Sequence, residues 1–102
     1  MLTDDDTGQP VPEGFSRTQR GGAYFNQLGP VYSRPDAHGG IVLALRVAPR
    51  HANLRGIGHG GMLATLADGA LGANVSIARG RRGGQVTVSL SADFLTAAHQ
   101  GD

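Results

Sequence analysis

The segment from Gly56 to Ala78 narrows the possible folds more than any other part of the chain. Between those two residues only His59 and Asp68 have side chains that can carry a charge. The spacing predicts a helix over 59–79. A helix that is apolar or small on every side is normally buried. A carboxylate inside such a helix is costly to desolvate and points to a functional role, here a general base or nucleophile. At 100° per residue Met62, Leu63, Leu66, Ala67, Ala70, Ala73 and Ile77 share one face. Asp68 lies opposite, among Gly61, Thr65, Leu71, Gly72 and Val75. Gly69 and Gly72 weaken a helix by roughly 1 kcal/mol each relative to alanine, so they imply close approach by a sheet, a partner helix or a ligand.

Gly58-His59-Gly60-Gly61 stands where this helix begins. The first N–H groups of a helix lack intrahelical partners, and together with the helix dipole they suit an anion or an oxyanion. Gly60 and Asp68 are eight residues apart, or about 12 Å along one helix at 1.5 Å per residue. Reacting groups must approach to about 3.5 Å. The carboxylate of one chain therefore cannot act on a carbonyl held at its own Gly60. Two helices related by a two-fold axis bring Asp68 of one to Gly60 of the other. Asn53 could bind the same ligand or simply shape the loop.

The rest of the chain supports one small domain. Of 102 residues 17 are glycine, and the formal net charge of +1 mixes both signs, which gives no case for nucleic acid or an acidic membrane. The absence of cysteine rules out disulfides and thiolate chemistry within this sequence. No signal peptide or membrane-spanning run is recognisable, so a cytoplasmic location is expected. Residues 1–14, with three aspartates and two prolines, read as a disordered arm, and 15–102 as a partial domain. A short helix is expected near 22–28, a short strand over 31–34, a turn over 35–40 and an aliphatic strand over 41–48. A basic turn, 79–84, leads to an alternating strand over 85–96, with Val86, Val88, Leu90, Ala92 and Phe94 on one face. Two long strands and a buried helix do not close a core, so further cover is expected from another chain or from more sequence.

The motif Asn53-x5-His59-Gly60-Gly61-x6-Asp68, flanked by Val47-Ala-Pro-Arg-His-Ala and Val86-Thr-Val-Ser-Leu-Ser-Ala-Asp-Phe-Leu, resembles the hotdog-fold acyl-CoA thioesterases. The resemblance is to the branch with the phenylacetic-acid-degradation-type and human-type thioesterase superfamily enzymes, and it covers 25–102. It implies an α+β fold in which a long central helix is wrapped by a curved antiparallel sheet, and which pairs into homodimers or homotetramers. Family members continue with two or three further strands that are missing from this chain, so the resemblance reads as a C-terminally truncated hotdog domain, with an inactive truncated protein as an alternative. By resemblance, Asp68 is the general base or nucleophile, and Gly60 offers its N–H to the thioester oxygen. Asn53 and His59 position the thioester, and Thr87 helps to place the attacking water. The implied substrate is an acyl-CoA.

Gly61 belongs to the same substrate-binding end of the helix, and Arg81 and Arg82 are candidates for the coenzyme A phosphates. Gly56-x-Gly58-x-x-Gly61 matches a dinucleotide fingerprint only formally. It does not directly follow its strand, and arginines stand where an acid is required. His38, His51, His59 and His99 show no helical ligand pair, so neither a metal nor another cofactor is expected. Two rival readings on the same fold are an acyl-CoA-binding protein without turnover and a hydratase.

Overall fold

The computed structural model describes residues 9–81 and 85–102. Strand β1, Ser16–Thr18, is followed by the short helix α1, Gly22–Asn26, then β2, Val31–Pro35, and β3, Ile41–Ala44. The three strands form one antiparallel sheet in the order β1-β2-β3. Ser33 is opposite Ser16 on one side and Leu43 on the other. The turn between β2 and β3 is closed by the N–H of Asp36 donating to the carbonyl of Gly40 (2.9 Å). The Asp36 side chain also accepts from the N–H of His38 (2.6 Å). α1, β2 and this turn match the sequence expectations. β1 does not: Ser-Arg-Thr carries no apolar alternation, and its strand character comes from pairing with β2.

The aliphatic strand expected over 41–48 is regular only to Ala44. Val47 then pairs with the end of the chain, donating its N–H to the carbonyl of Asp102 (2.9 Å) and accepting from the N–H of Gly101 (2.8 Å). A 3-10 turn, Pro49–His51, follows. Phe25, Val31, Tyr32, Val47, Ala48 and Met62 are the buried apolar residues among those described. His51 is buried with them.

The long helix α2, Gly60–Arg79, has 20 residues with His59 as its N-cap. It ends at Gly80, whose φ of 70° is the left-handed C-cap that glycine adopts without strain. Asn74 fastens it to the sheet: its Oδ1 accepts from the N–H of Ile41 (3.0 Å), and its Nδ2 donates to the Ile41 carbonyl (3.1 Å). α1 packs on it where Phe25 meets Gly69; a Cβ on Gly69 would lie 2.8 Å from Cδ1 and Cζ of the ring. The close approach expected at Gly69 is therefore made by Phe25, whereas a Cβ on Gly72 would meet nothing within 4 Å. No helix among the described residues is long and apolar enough to cross a membrane.

Two expectations are corrected. α2 is not buried all round: Met62 is its one buried residue, and Ala67, Leu71, Val75 and Ala78 are exposed. The three strands and α1 cover only part of its circumference, so a stripe at i, i+4, i+8 and i+11 faces outward. The segment 85–96 is not a strand either. No strand among the described residues flanks it, and a strand is defined by its lateral partners. It runs instead along α2 in the opposite direction. Gln85 bonds to Gly72 and Ser76, Thr87 to Asp68, and Phe94 lies over Gly60. The alternation does not define a helix-facing side: Thr87 and Phe94, from opposite faces of it, both meet α2, while Val86 and Val88 are 87% and 95% exposed.

The two helix glycines should separate in a stability measurement. Gly69→Ala forces the Phe25 ring to move and is expected to destabilise by about 1–3 kcal/mol. Gly72→Ala removes a glycine from a helix interior without a clash and should stabilise by up to about 1 kcal/mol. Urea unfolding midpoints of the two variants check both signs.

Candidate active site

The start of α2 owes its geometry to His59. As N-cap its backbone is extended (φ −67°, ψ 132°), and its Nδ1 accepts the N–H of Gly61 (3.0 Å). Its carbonyl accepts from Met62 (3.0 Å) and Leu63 (3.2 Å). Of the four amides that open the helix, those of residues 61, 62 and 63 are therefore occupied. The N–H of Gly60 has no partner among the described residues. A free amide at the positive end of a helix, on a residue without a side chain, is suited to a carbonyl oxygen that gains negative charge. Because Nδ1 is an acceptor, the neutral imidazole of His59 carries its proton on Nε2, which leaves that N–H available to a ligand.

The loop before the helix is shaped by Asn53. Its Oδ1 accepts from the N–H groups of Arg55 (2.9 Å) and Ile57 (3.3 Å), and its own N–H donates to the Ile57 carbonyl (2.8 Å). Of the two roles left open for Asn53, the structure shows the turn. The Nδ2 donor has no partner among the described residues, and it is the group that can still serve a ligand. The loop is held from below by His51. The Nδ1 of His51 accepts from Ala48 (2.9 Å), its Nε2 donates to the Leu28 carbonyl (2.6 Å), and its backbone carbonyl accepts from the N–H of His59 (2.8 Å).

Asp68 lies two turns along α2. Its side chain is only partly buried, which corrects the expectation of a fully desolvated carboxylate. Thr87 donates its hydroxyl to Asp68 Oδ1 (2.6 Å), so Oδ2 and the Thr87 oxygen remain as acceptors facing the same space. Asp68 and Thr87 line two adjoining depressions. One, of about 920 Å³, runs toward the C-terminal half of α2 past Gly72 and Gln85. The other, of about 410 Å³, is walled by Tyr24, Phe25 and Thr65. A third, of about 380 Å³, holds His59, Gly61 and Arg50 and shares Tyr24 and Thr65 with the second. The second and third depressions adjoin through Tyr24 and Thr65, so Asp68 and the His59 end of α2 open on neighbouring hollows.

Of the other expected residues, Arg81 lies at the far end of α2, where with Arg20 and Ser76 it lines a depression of about 190 Å³. Arg82 lies outside the described residues. The sequence reading missed His51, Gln85 and Asn74. A histidine two residues beyond a proline and an amide beside a glycine turn carry no pattern of their own. Only their tertiary hydrogen bonds show what they do.

A model of the thioesterase superfamily matches residues 55–102, which include Gly60, Asp68 and Thr87. The chain belongs to the thioesterase superfamily, so its fold is the hotdog fold, represented here by the long helix and three antiparallel strands, and its chemistry is hydrolysis of the thioester or ester type. It is similar to a Pseudomonas aeruginosa protein named "Putative esterase PA0474". The two are 42% identical over 92 residues, a match that covers 90% of this chain and 69% of the relative.

The two ends of the Asn53 side chain can be tested apart. Asn53→Asp keeps Oδ1 in the loop and removes the Nδ2 donor. It should melt close to wild type yet lose hydrolysis by about tenfold or more, the worth of one hydrogen bond to developing charge. Asn53→Ala should lose the same activity and in addition about 1 kcal/mol of stability. Thermal melts and steady-state rates on one thioester substrate distinguish them.

Proposed function

We propose that the protein hydrolyses an acyl-CoA or a related acyl thioester to the free acid and thiol, at sites completed between two copies of the chain. The observation that carries this reading is the pairing of two half-sites at fixed spacing. One is the unpartnered N–H of Gly60 at a capped helix start; the other is the Asp68 carboxylate held by Thr87. The roughly 12 Å between them along one helix is too far for chemistry on one carbonyl. Antiparallel pairing of two helices brings each Asp68 to the Gly60 of the other copy. The exposed apolar surface beside Asp68, with Leu71 60% exposed and Val86 and Val88 almost fully so, favours such a partner.

In this arrangement the thioester oxygen sits on the N–H of Gly60, with the Nε2–H of His59 and the Nδ2–H of Asn53 as further donors. The free oxygen of Asp68 takes a proton from a water that the Thr87 oxygen helps to orient, and the water oxygen bonds to the carbonyl carbon. Collapse of the tetrahedral intermediate breaks the carbon–sulfur bond. The proton held by Asp68 then passes to the departing thiolate, which balances the step. Coenzyme A is favoured as the thiol because Arg81 and Arg20 stand at the far end of α2 from the acyl-binding end, where they can meet phosphate. Arg82 is proposed to serve the same group.

Two inactive variants test the composite site. Asp68→Asn should lower kcat by about a thousandfold or more while acyl-CoA binding persists. Gly60→Pro deletes the free N–H and adds a ring. Proline is well accepted at the first helical position, and His59 already has the extended backbone required before it. A Cβ there would lie 3.3 Å from Cε2 of Phe94, which is itself exposed and can yield. Mixed and re-annealed, the two variants should recover about a quarter of wild-type activity. Half of randomly formed dimers are then mixed, and one of the two sites in each is intact. A mixture that stays inactive, or a wild-type protein that is active as a monomer, would overturn the shared site.

A further inference from the structure

We infer that Gln85 is a positioning residue that fixes the register of the 85–94 segment on α2 and thereby delivers the Thr87 hydroxyl to Asp68. The inference rests on the proposed role of Asp68 and goes beyond it. In an extended segment, residues two apart point the same way. On a helix, residues four apart stack on one face. Gln85 and Thr87 on one side, and Ser76, Gly72 and Asp68 on the other, meet in this manner. Gln85 Nε2 donates to the carbonyl of Gly72 (3.1 Å) and to Ser76 Oγ (2.8 Å), and Thr87 Oγ1 donates to Asp68 Oδ1 (2.6 Å).

The orientation of the Gln85 amide is set by chemistry, because the Gly72 carbonyl can only accept. Oε1 is consequently buried without a donor among the described residues. The side chain therefore acts on α2 through its two donors. What its two donors secure is alignment. No other hydrogen bond among the described residues joins 86–94 to α2, and a slip of one residue would bring Val86 or Val88 against Asp68 in place of Thr87. Neither valine can donate a hydrogen bond to the carboxylate.

Gln85→Met keeps the length and shape of the side chain and removes both donors. It should reduce kcat about tenfold, the value of one hydrogen bond to a charged group, with KM changed less than twofold. Thr87→Val should do the same. The double variant should be no slower than Thr87→Val alone, since both changes break one unit. Ser76→Ala, which leaves the Gly72 bond in place, should cost about threefold by the same reasoning. The χ1 couplings of Thr87, read by NMR on the intact protein, supply a measure independent of turnover: one rotamer in wild type, averaging in Gln85→Met. Multiplicative losses in the double variant, or a Thr87 rotamer that stays fixed in Gln85→Met, would overturn the assignment. If Asp68→Asn instead retains hydrolysis, the catalytic reading fails by itself, and the NMR couplings alone then decide whether Gln85 sets the register.

Discussion

The hydrogen bonds of His51 join the parts of the molecule on which everything else depends. Its ring is buried between a donor, the N–H of Ala48, and an acceptor, the carbonyl of Leu28. Its backbone carbonyl receives the N–H of the helix-capping His59. One residue thus ties the loop after α1, the chain leaving the sheet and the entry to α2. Imidazole suits the task because its neutral form offers one donor and one acceptor on opposite sides of a flat ring. A purely apolar replacement would leave the buried N–H of Ala48 without its acceptor, at about 1–3 kcal/mol, and the Leu28 carbonyl with only the Arg50 guanidinium as donor. The direction in which α2 leaves the sheet, and so the aim of the Gly60 N–H, follows from this anchor.

Capping then separates the amides that hold the helix start from the one left free. His59 supplies both of its acceptors, ring and carbonyl, to residues 61, 62 and 63. A serine or aspartate cap would stabilise the helix equally well. Neither would present a second, outward N–H on the same ring. Gly58, on the near side of His59, lets Ala98 pack against the backbone, and Gly60, on the far side, lets the Phe94 ring approach. The capping pattern therefore accounts for helix stability and for the single free donor together.

Helical periodicity made α2 legible in the sequence, and the lone carboxylate in an uncharged run made Asp68 legible. Both are local patterns. The short turn before β3 was equally local and equally readable, whereas the early end of β3 at Ala44 was not. β1 was not, because Ser-Arg-Thr becomes a strand only through β2. The segment 85–96 misled in the other direction: its alternation suggested a strand, but no described strand lies beside it, and Thr87 and Phe94 from opposite faces both meet α2. Gln85 and Thr87 are ordinary polar positions in that alternation until Asp68 and Gly72 are seen across from them. Family resemblance pointed to Thr87; nothing short of the tertiary contacts points to Gln85.

The same segment explains why one chain is half of a working unit in the proposed assembly. Gln85 and Thr87 are spent on α2, so Val86 between them and Val88 beyond face outward. On the neighbouring part of α2 the exposed stripe Ala67, Leu71, Val75 and Ala78 continues the apolar surface. Burying a valine or leucine side chain is worth about 1.5–3 kcal/mol, which gives a second copy ample reason to bind there. The residue that cannot be buried without compensation is Asp68, and the Thr87 bond together with the partner's helix N-terminus provides it. In the proposed dimer, catalytic pairing and apolar burial use the same juxtaposition of two helices, and a mutation that weakens one should weaken the other.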